Sequence, residues 1–287
     1  MRPTTAIIRT ALNTTSFVAP GLAGRAAFGL FRGPLARGAV RPAEQPVMDR
    51  ARRGELTVAG KRVATYRWGS GDRPVLLVHG WRYRASRWHA FVTALRERGY
   101  SPVAFDAPGH GASEGRTTTI LEYREIIRAL HGEHGPFEAV VAHSFGSLAA
   151  SFSLRDGVTA GRLVSLGGVA EFGWVLEGFR AGLGLRPRVG QEVRRRVEAM
   201  LLPEAGEATR ELLTAVVRPG EDGMPVLLVH DEHDDVVPLD QSRRLARAYG
   251  ERVRLVTTRG LGHRRIITDP GVTAEALGFL SAAEPVR

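Results

Sequence analysis

The sequence predicts an α/β domain built on a mostly parallel, doubly wound sheet, with a small helical cap. From residue 55 onward, short apolar runs alternate with stretches of helical periodicity, as in chains of βαβ units. Residues 74–79 (PVLLVH) form a continuous apolar run, which is typical of a strand covered on both faces. One segment, from Phe172 to about Gly223, lacks any buried-strand pattern and interrupts the alternation. We therefore expect one α/β core that contains an insertion.

The predicted elements follow one another in a regular order. Residues 55–59 and 61–68 flank Gly60 and are expected to form an antiparallel hairpin. Buried strands are predicted over 74–79, 101–105, 138–142, 162–166, 226–229 and 253–257. Helices are predicted over 87–98, 120–131, 145–154, 239–249 and 272–280. Strands that alternate with helices in this way favour right-handed crossovers and a parallel sheet.

The inserted segment is predicted to be helical. It offers helices over 174–183, 189–202 and 207–217. An insertion between two strands of an α/β sheet tends to cover the carboxyl edge, where ligands bind. We therefore divide the chain into a core of residues 55–170 and 224–287 and a cap of residues 171–223. A further flanking layer of helices is the alternative.

The N-terminal residues 1–54 are expected to form a basic helical extension. Residues 1–56 hold nine arginines against Glu44, Asp49 and Glu55. Leu22 and Leu30 share one helical face between two prolines, which predicts a helix that packs on the domain. No apolar run is long enough for a transmembrane segment. Weak contact of this extension with a membrane surface is the alternative.

The composition excludes several classes of protein. At 43% hydrophobic and 24% charged residues the chain is neither disordered nor fibrous. It contains no cysteine, so disulfides, thiolate nucleophiles and cysteine-ligated zinc are excluded. The net charge of +10 comes almost wholly from arginine, since Lys61 is the only lysine. No zinc-finger or RNA-recognition motif accompanies this charge, so no nucleic-acid partner is predicted.

A serine lies where a predicted strand gives way to a helix. Ala142 and Gly146 stand two residues before and two after Ser144. Small residues at these positions permit a sharp turn that lifts the hydroxyl above the sheet. The alternative is an ordinary helix N-cap serine.

Two more motifs complete a resemblance to a known family. His79-Gly80-Trp81 closes one strand, and the run from Asp106 to Ser113 (DAPGHGAS) follows the next. With the serine motif, these segments resemble the α/β-hydrolase superfamily over about residues 55–280, in particular bacterial hydrolases and acyltransferases. Ala142 departs from the usual glycine of the serine motif. The resemblance implies an oxyanion hole formed by the backbone N–H groups of Trp81 and Phe145, and a structural role for His110.

The same resemblance implies an acid and a histidine later in the chain, in the order serine, acid, histidine. The family places an aspartate four residues before the proline of the loop 230–238, which favours Asp234. Asp231 and Asp235 remain alternatives. The loop also contains His230 and His233, but no distant third ligand accompanies them, so no metal is predicted. His263 follows the strand 253–257 and matches the histidine of the family.

Residues for substrate recognition are less clearly indicated. Phe145, Phe172 and Trp174, with Trp81 and Tyr83, are candidates for an apolar acyl pocket. Arg82 and Arg84 are candidates for binding an acidic group, although in so arginine-rich a chain a solvated role competes with this one.

These residues predict a serine hydrolase that cleaves a small carboxylic ester, thioester or related acyl compound through an acyl-enzyme, without a cofactor. An acyltransferase with the same Ser144, Asp234 and His263 is the first alternative. A ligand-binding protein with slow turnover is the second. The expected partner is a small acyl substrate, and the expected location is the cytoplasm. The sequence leaves the substrate and the oligomeric state open.

Overall fold

A computed structural model of the protein describes residues 3–201, 203, 216 and 223–282. Eight strands form a single sheet in these residues. The strands are β1 (Arg52–Val58), β2 (Lys61–Arg67), β3 (Pro74–Val78), β4 (Ser101–Phe105), β5 (Ala139–His143), β6 (Leu163–Leu166), β7 (Val226–Asp231) and β8 (Val253–Thr258). Each predicted strand is present, and β1 begins three residues earlier than expected.

The sheet has the order β1-β2-β4-β3-β5-β6-β7-β8. β1 and β2 are antiparallel to each other, and β2 is antiparallel to β4. All other neighbours are parallel. The prediction of a mostly parallel α/β sheet is confirmed, and its carboxyl edge is formed by β3 to β8.

Both faces of the sheet are covered, which explains the continuous apolar runs. Alternate residues of β3 enter two separate cores, with Leu76 and Val78 on one face and Val75 and Leu77 on the other. All four are completely buried. A strand that is buried on both faces has no polar position, so it shows no alternation in the sequence.

Eleven α-helices lie in the described residues. They are α1 (Pro3–Val18), α2 (Pro20–Phe31), α3 (Gln45–Asp49), α4 (His89–Glu97), α5 (Ile120–His134), α6 (Phe145–Arg155), α7 (Phe172–Gly182), α8 (Pro187–Leu201), α9 (Asp240–Tyr249), α10 (Gly262–Arg265) and α11 (Pro270–Ser281). Short 3₁₀ turns cover Pro42–Glu44, Ala85–Trp88 and Gly250–Arg252. The five predicted core helices are therefore present. No described helix is long and apolar enough to cross a membrane.

The inserted segment contains two of its three predicted helices. These are α7 and α8, whereas the third, over residues 207–217, lies almost entirely outside the described residues. α8 buries Val189, Val193 and Val197 along one face. This spacing of four residues places the valines in a row, and α2 packs against α8.

The N-terminal extension is attached to both the inserted helices and the core. In α2, Ala23, Gly24 and Ala27 are buried. Gly24 lies against Glu192 of α8 so closely that a Cβ atom there would be 2.3 Å from the Glu192 Cβ atom. Large apolar side chains stay exposed on the outer side of α1 and α2: Ile7, Phe17, Val18 and Leu22. Weak contact of this surface with a membrane stays the untested alternative.

Residues 34–44 continue this attachment along the core. Glu44 is buried and forms an ion pair with Arg87, and it accepts a hydrogen bond of 2.6 Å from Ser86 Oγ. These bonds, together with one from the Arg41 N–H group, outweigh the effect of burial and lower the pKa of Glu44. The segment therefore holds a charged carboxylate inside the domain.

Candidate active site

Ser144 occupies a sharp turn between β5 and α6. Its backbone angles are φ 56° and ψ −126°, a conformation that costs energy for any residue except glycine. Its N–H group donates to the carbonyl oxygen of Leu166 (3.0 Å), which ties the turn to the neighbouring strand. Turns of this kind raise a side chain above the carboxyl edge of a sheet.

Two glycines let the backbone pass close to this turn. A Cβ atom on Gly146 would lie 2.5 Å from the carbonyl oxygen of Val78 and 2.6 Å from that of His79. A Cβ atom on Gly80 would lie 2.8 Å from the Cβ atom of Ser144. Both approaches are shorter than contacts that a methyl group tolerates, so α6, the turn and the end of β3 meet only because both positions are glycine.

Ser144, His263 and Asp234 form a chain of hydrogen bonds. Ser144 Oγ lies 2.9 Å from His263 Nε2, and His263 Nδ1 lies 2.7 Å from Asp234 Oδ2. A carboxylate only accepts, so Nδ1 carries the proton and donates to Asp234. Nε2 then presents its lone pair to the hydroxyl of Ser144.

Asp234 is held as a carboxylate by several donors. Its Oδ1 accepts from the N–H groups of Val236 (2.9 Å) and Val237 (2.8 Å). The buried ring of His230 places Nε2 3.4 Å from Asp234 Oδ2. Burial would raise the pKa of Asp234, but the bonds from His230, His263 and the backbone outweigh it and hold this pKa well below its usual range. The group that faces His263 is therefore ionised.

The other two aspartates of this loop lie elsewhere. Asp231 is buried and accepts from the N–H groups of His233 (3.0 Å) and Leu261 (2.9 Å) and from Thr258 Oγ1 (2.8 Å). It therefore fastens the loop after β7 to the one after β8. Asp235 is exposed. Of the three alternatives, only Asp234 contacts His263.

The donors that suggested a metal site have other partners. His230 contacts Ser242 Oγ (2.7 Å) through Nδ1 and the carbonyl oxygen of Val237 (2.8 Å) through Nε2. Asp231 binds the backbone, as described above. In the part of the chain that the structure describes, no three such side chains are arranged to hold a metal ion.

His143 contacts His263 through both its ring and a hydrogen bond. The two ring centroids are 4.7 Å apart, and His143 Nε2 donates to the carbonyl oxygen of His263 (2.9 Å). Tyr83 also stacks on His143, with ring centroids 5.1 Å apart and an interplanar angle of 13°. Burial and the neighbouring His263 lower the pKa of His143 to about 3, so this ring is neutral at neutral pH. The His263 ring therefore rests on a rigid, uncharged stack.

His110 holds the backbone beside Trp81. Its Nδ1 donates to the carbonyl oxygen of Pro108 (3.1 Å), which leaves Nε2 to accept from the Arg82 N–H group (3.1 Å). Arg82 has a φ of +64°, in the left-handed region that arginine disfavours. The hydrogen bond that Arg82 donates to His110 stabilises this turn.

Three side chains expected beside the substrate are engaged outside the cavity. Arg82 Nε donates to the carbonyl oxygen of Pro34 (3.0 Å). Arg84 forms an ion pair with the buried Asp106 (3.3 Å) and donates to the carbonyl oxygen of Gly38 (3.1 Å). Tyr83 stacks on His143, as described above. The two arginines thus hold the N-terminal segment to the core.

A cavity of about 260 Å³ opens above Ser144. This volume is slightly below the range of about 300–1,000 Å³ that is typical of small-molecule sites. Its described lining is mainly apolar and includes the expected Trp81, Phe145, Phe172 and Trp174. It also includes Phe31 and Arg32 from the N-terminal extension, Phe179 and Met200 from the inserted helices, and Thr118, Thr119 and Ile120 from the start of α5.

Sequence reasoning missed several of these residues. Phe31 packs edge-on against Phe172 and Phe179, with centroids 6.2 and 5.2 Å apart. His143 and His230, which contact His263 and Asp234, were also missed. Their positions in the sequence could have indicated them, since they stand one residue before Ser144 and four residues before Asp234. Nothing in the sequence indicated that Phe31 and Arg32 line the cavity, because they lie more than 100 residues from Ser144.

The arrangement is suited to proton transfer and nucleophilic attack. The Ser144 hydroxyl has a proton acceptor within hydrogen-bond distance, and that acceptor has an oriented carboxylate behind it. Phe145 is the first residue of α6, and N–H groups of a first helical turn lack partners within the helix. Ser144 and His263 are buried, at 8% and 6% exposure, which strengthens the electrostatic interactions between them.

A sequence model of the alpha/beta hydrolase family matches residues 75–276. One relative is the dihydrolipoyllysine-residue acetyltransferase component of the acetoin cleaving system of Cupriavidus necator, which is 30% identical over 167 residues. That match covers 56% of this chain and 43% of the relative. The chain therefore spans less than half the length of this curated relative.

Solved structures with the same fold include two esterases. An esterase from Rhodococcus sp. ECU1013 has a TM-score of 0.58 and 19% identity, and the match covers 81% of this chain and 99% of that one. An esterase from Pyrococcus furiosus has a TM-score of 0.60 and 18% identity, with 87% and 96% covered. At these identities the likeness concerns the fold.

Proposed function

This chain belongs to the alpha/beta hydrolase family, and from this premise we propose that it is a serine hydrolase that cleaves a small carboxylic ester or thioester through an acyl-enzyme. One observation carries the proposal: Ser144 Oγ, His263 and Asp234 are joined by hydrogen bonds of 2.9 and 2.7 Å at the base of an apolar cavity. In this proposal residues 171–223 cap the site, and the extension of residues 1–54 completes its wall.

The first half of the reaction forms the acyl-enzyme. Ser144 Oγ attacks the acyl carbon while its proton passes to His263 Nε2. Asp234 accepts from Nδ1–H throughout and stabilises the imidazolium that forms. The bond to the leaving alcohol or thiol then breaks, and the proton on Nε2 goes to that group.

The second half releases the acid. A water molecule gives its proton to His263 Nε2 as its oxygen attacks the acyl carbon. The bond to Ser144 Oγ breaks, and the proton returns to Ser144. The N–H groups of Phe145 and Trp81 are assigned to the negative oxygen of both tetrahedral intermediates, at about 3–4 kcal/mol per donor. The glycines at 80 and 146 support this assignment, since they let β3 and α6 approach each other.

Labelling by a fluorophosphonate and hydrolysis of short p-nitrophenyl esters test the proposal. Wild type should be labelled and active, whereas Ser144→Ala should lose labelling and at least about 10³-fold of its activity. Ser147→Ala is the matched control. Ser147 lies one turn further along α6 and is buried, and its hydroxyl has no hydrogen-bond partner among the described residues, so this variant should behave like wild type. Equal labelling of Ser144→Ala and wild type would exclude the proposed nucleophile.

Transfer of the acyl group to an alcohol or amine is the second candidate, and the similarity to an acetyltransferase component favours it. The first half of the reaction is unchanged, and an acceptor hydroxyl replaces water in the second. Product analysis with increasing concentrations of a competing alcohol distinguishes the two. Free acid as the sole product at every concentration would exclude transfer.

A further inference from the structure

One corner of the cavity is polar, although the rest of its lining is apolar. Arg32, Thr118 and Thr119 meet there, and Arg32 is the only charged side chain among the described lining residues. The Thr118 N–H group donates to the carbonyl oxygen of Arg32 (2.9 Å), so these two residues are direct neighbours. The corner belongs to the same cavity as Ser144.

The guanidinium of Arg32 has no anionic partner within the described residues. Its Cζ atom lies 4.5 Å from the centroid of the Phe28 ring, a cation–π contact. Its Nε atom is buried and has no hydrogen-bond acceptor. The Nε atoms of Arg84 and Arg87 also lack an acceptor in the described residues, but the terminal nitrogens of these two arginines pair with Asp106 and Glu44. Arg32 therefore lines the cavity with a guanidinium that has no ion-pair partner in the described residues.

Thr118 adds a second donor without a partner. The residue is 1% exposed, and its Oγ1 atom has no hydrogen-bond partner in the described structure. A buried hydroxyl without a partner is unfavourable, and in native proteins such groups tend to meet a ligand or an ordered water. Thr118 is the last residue before the N-cap of α5, so its hydroxyl lies beside the start of that helix.

The start of α5 adds positive potential at the same place. The helix has 15 residues, Thr119 is its N-cap, and Ile120 lines the cavity. The aligned peptide dipoles of a helix place a partial positive charge at its N-terminus. Glu122 in the first turn is bound by Lys61 at 2.6 Å, so its charge is already compensated. The corner thus combines a cation, a hydroxyl and a helix N-terminus.

We propose that this corner binds a carboxylate of the substrate, so that the preferred ester or thioester has an apolar body and a carboxylate at one end. The proposal rests on the hydrolase function above and names its substrate class. The Arg32 guanidinium binds the two carboxylate oxygens, the Thr118 hydroxyl donates to one of them, and the apolar walls contact the chain between this end and Ser144.

Three esters of matched size test the proposal and locate the carboxylate. Monobutyl adipate has it on the acyl side, its isomer 6-(butanoyloxy)hexanoate has it on the alcohol side, and butyl hexanoate has none. For wild type we expect kcat/KM at least tenfold higher for one or both carboxylate esters than for butyl hexanoate. The isomer that is preferred identifies the part of the substrate that lies toward Arg32.

Variants then assign the preference to the corner. Arg32→Gln should lower kcat/KM for the preferred carboxylate ester at least tenfold more than it lowers kcat/KM for butyl hexanoate, and Thr118→Val should reduce the preference about threefold or more. Arg25→Gln is the matched control and should keep the preference, since Arg25 is an exposed arginine of α2, the helix that Arg32 caps. Thermal melts establish that each variant folds, and Thr118→Val carries the test if Arg32→Gln does not.

The possible failures are distinguishable. Turnover that persists in Ser144→Ala would overturn the hydrolase function itself. Two results would overturn the carboxylate site alone. One is turnover that depends on Ser144 but favours butyl hexanoate, and the other is a decrease of kcat/KM in Arg32→Gln that is equal for all three esters. If no ester is turned over, we compare how well each ester protects Ser144 against fluorophosphonate labelling. The carboxylate ester should then protect at a concentration at least tenfold lower than butyl hexanoate. Equal protection by all three esters would overturn the carboxylate site.

Discussion

Asp234 shows how a single carboxylate orients a neighbouring imidazole. One oxygen accepts two backbone N–H groups and the other accepts from His263. We expect Asp234→Asn to fold, because asparagine keeps an acceptor for the backbone. Its amide N–H₂ then faces His263 Nδ1 and favours the tautomer with a proton on Nε2. Hydrolysis should fall about 10²–10⁴-fold while the melting temperature moves by a few degrees.

The neighbouring aspartates serve as controls in the same assay. Asp235→Asn should retain full activity, since Asp235 is exposed. Asp231→Asn should lower the free energy of unfolding by about 1–3 kcal/mol, because one of its three donors would then face an N–H₂ group. Full activity in Asp234→Asn would mean that another group orients His263.

At the residue level, the site residues that could be predicted from the sequence are those that directly follow a strand. Ser144, Asp234 and His263 each follow a strand, and the carboxyl ends of parallel strands share one edge, so their side chains meet. Arg82 was expected beside the substrate because it follows Trp81. The left-handed backbone of Arg82 turns its side chain toward Pro34, and nothing in the local sequence indicates that conformation.

At the level of single elements, the contact between α6 and β3 sets the position of the Ser144 turn. In Gly146→Ala the new methyl group would meet two carbonyl oxygens, so α6 has to shift. We expect a loss of about 1–3 kcal/mol in the free energy of unfolding and a large loss of esterase activity. Urea denaturation and ester hydrolysis measure the two effects.

Gly132→Ala is the matched control, since Gly132 lies in α5 with no atom near its added methyl group. That variant should gain about 0.5–1 kcal/mol, because alanine favours the helix. A stability of Gly146→Ala equal to or above that of wild type would contradict the close packing of α6 on β3.

The contact of α2 with α7 forms one wall of the cavity. Phe31→Ala removes the edge contacts with Phe172 and Phe179 and widens the cavity. We expect a stability loss of about 1–3 kcal/mol and a shift of ester preference toward longer acyl chains, with Ser144 chemistry intact. Phe17→Ala on α1 is the control, because Phe17 is 61% exposed. An unchanged chain-length profile would place Phe31 outside the substrate's path.

The elements themselves were largely predictable, whereas the packing of some of them was not. Strands and core helices have local signals, such as the continuous run of β3 and the valine row of α8. The helix over α2 was expected from its apolar face, but its position above Ser144 depends on Gly24 fitting against Glu192. That contact joins residues that are 168 positions apart, and the hydrophobic periodicity of the sequence contains no information about such contacts.

At the level of the whole molecule, three buried neutral histidines make the fold sensitive to acid. Burial lowers the pKa of His79 to about 4, of His110 to about 3 and of His143 to about 3. In the unfolded chain each has a pKa near 6.5, so unfolding takes up protons at acidic pH. Their stabilising contribution is complete above pH 6.5 and is lost as the pH falls toward the folded values.

Urea denaturation between pH 7.5 and 5 measures this effect. Three protons correspond to a slope of about 4 kcal/mol per pH unit below pH 6, which is large against a typical total of about 5–15 kcal/mol. His110→Gln should reduce the slope by about a third. A free energy of unfolding that stays constant from pH 6.5 to 5 would mean that these rings are protonated in the folded protein.

The floor of the cavity and its walls belong to different parts of the fold, which matters for the evolution of related proteins. Ser144, Asp234 and His263 lie at strand ends of the sheet, whereas Phe31, Arg32 and Phe179 come from helices attached outside it. Mutations in those helices should change which ligands fit the cavity without moving the proposed catalytic residues. Under the proposed function, proteins that descend from one ancestral gene are therefore free to acquire different substrates through changes in their first forty residues and inserted helices, while Ser144, Asp234 and His263 keep their arrangement.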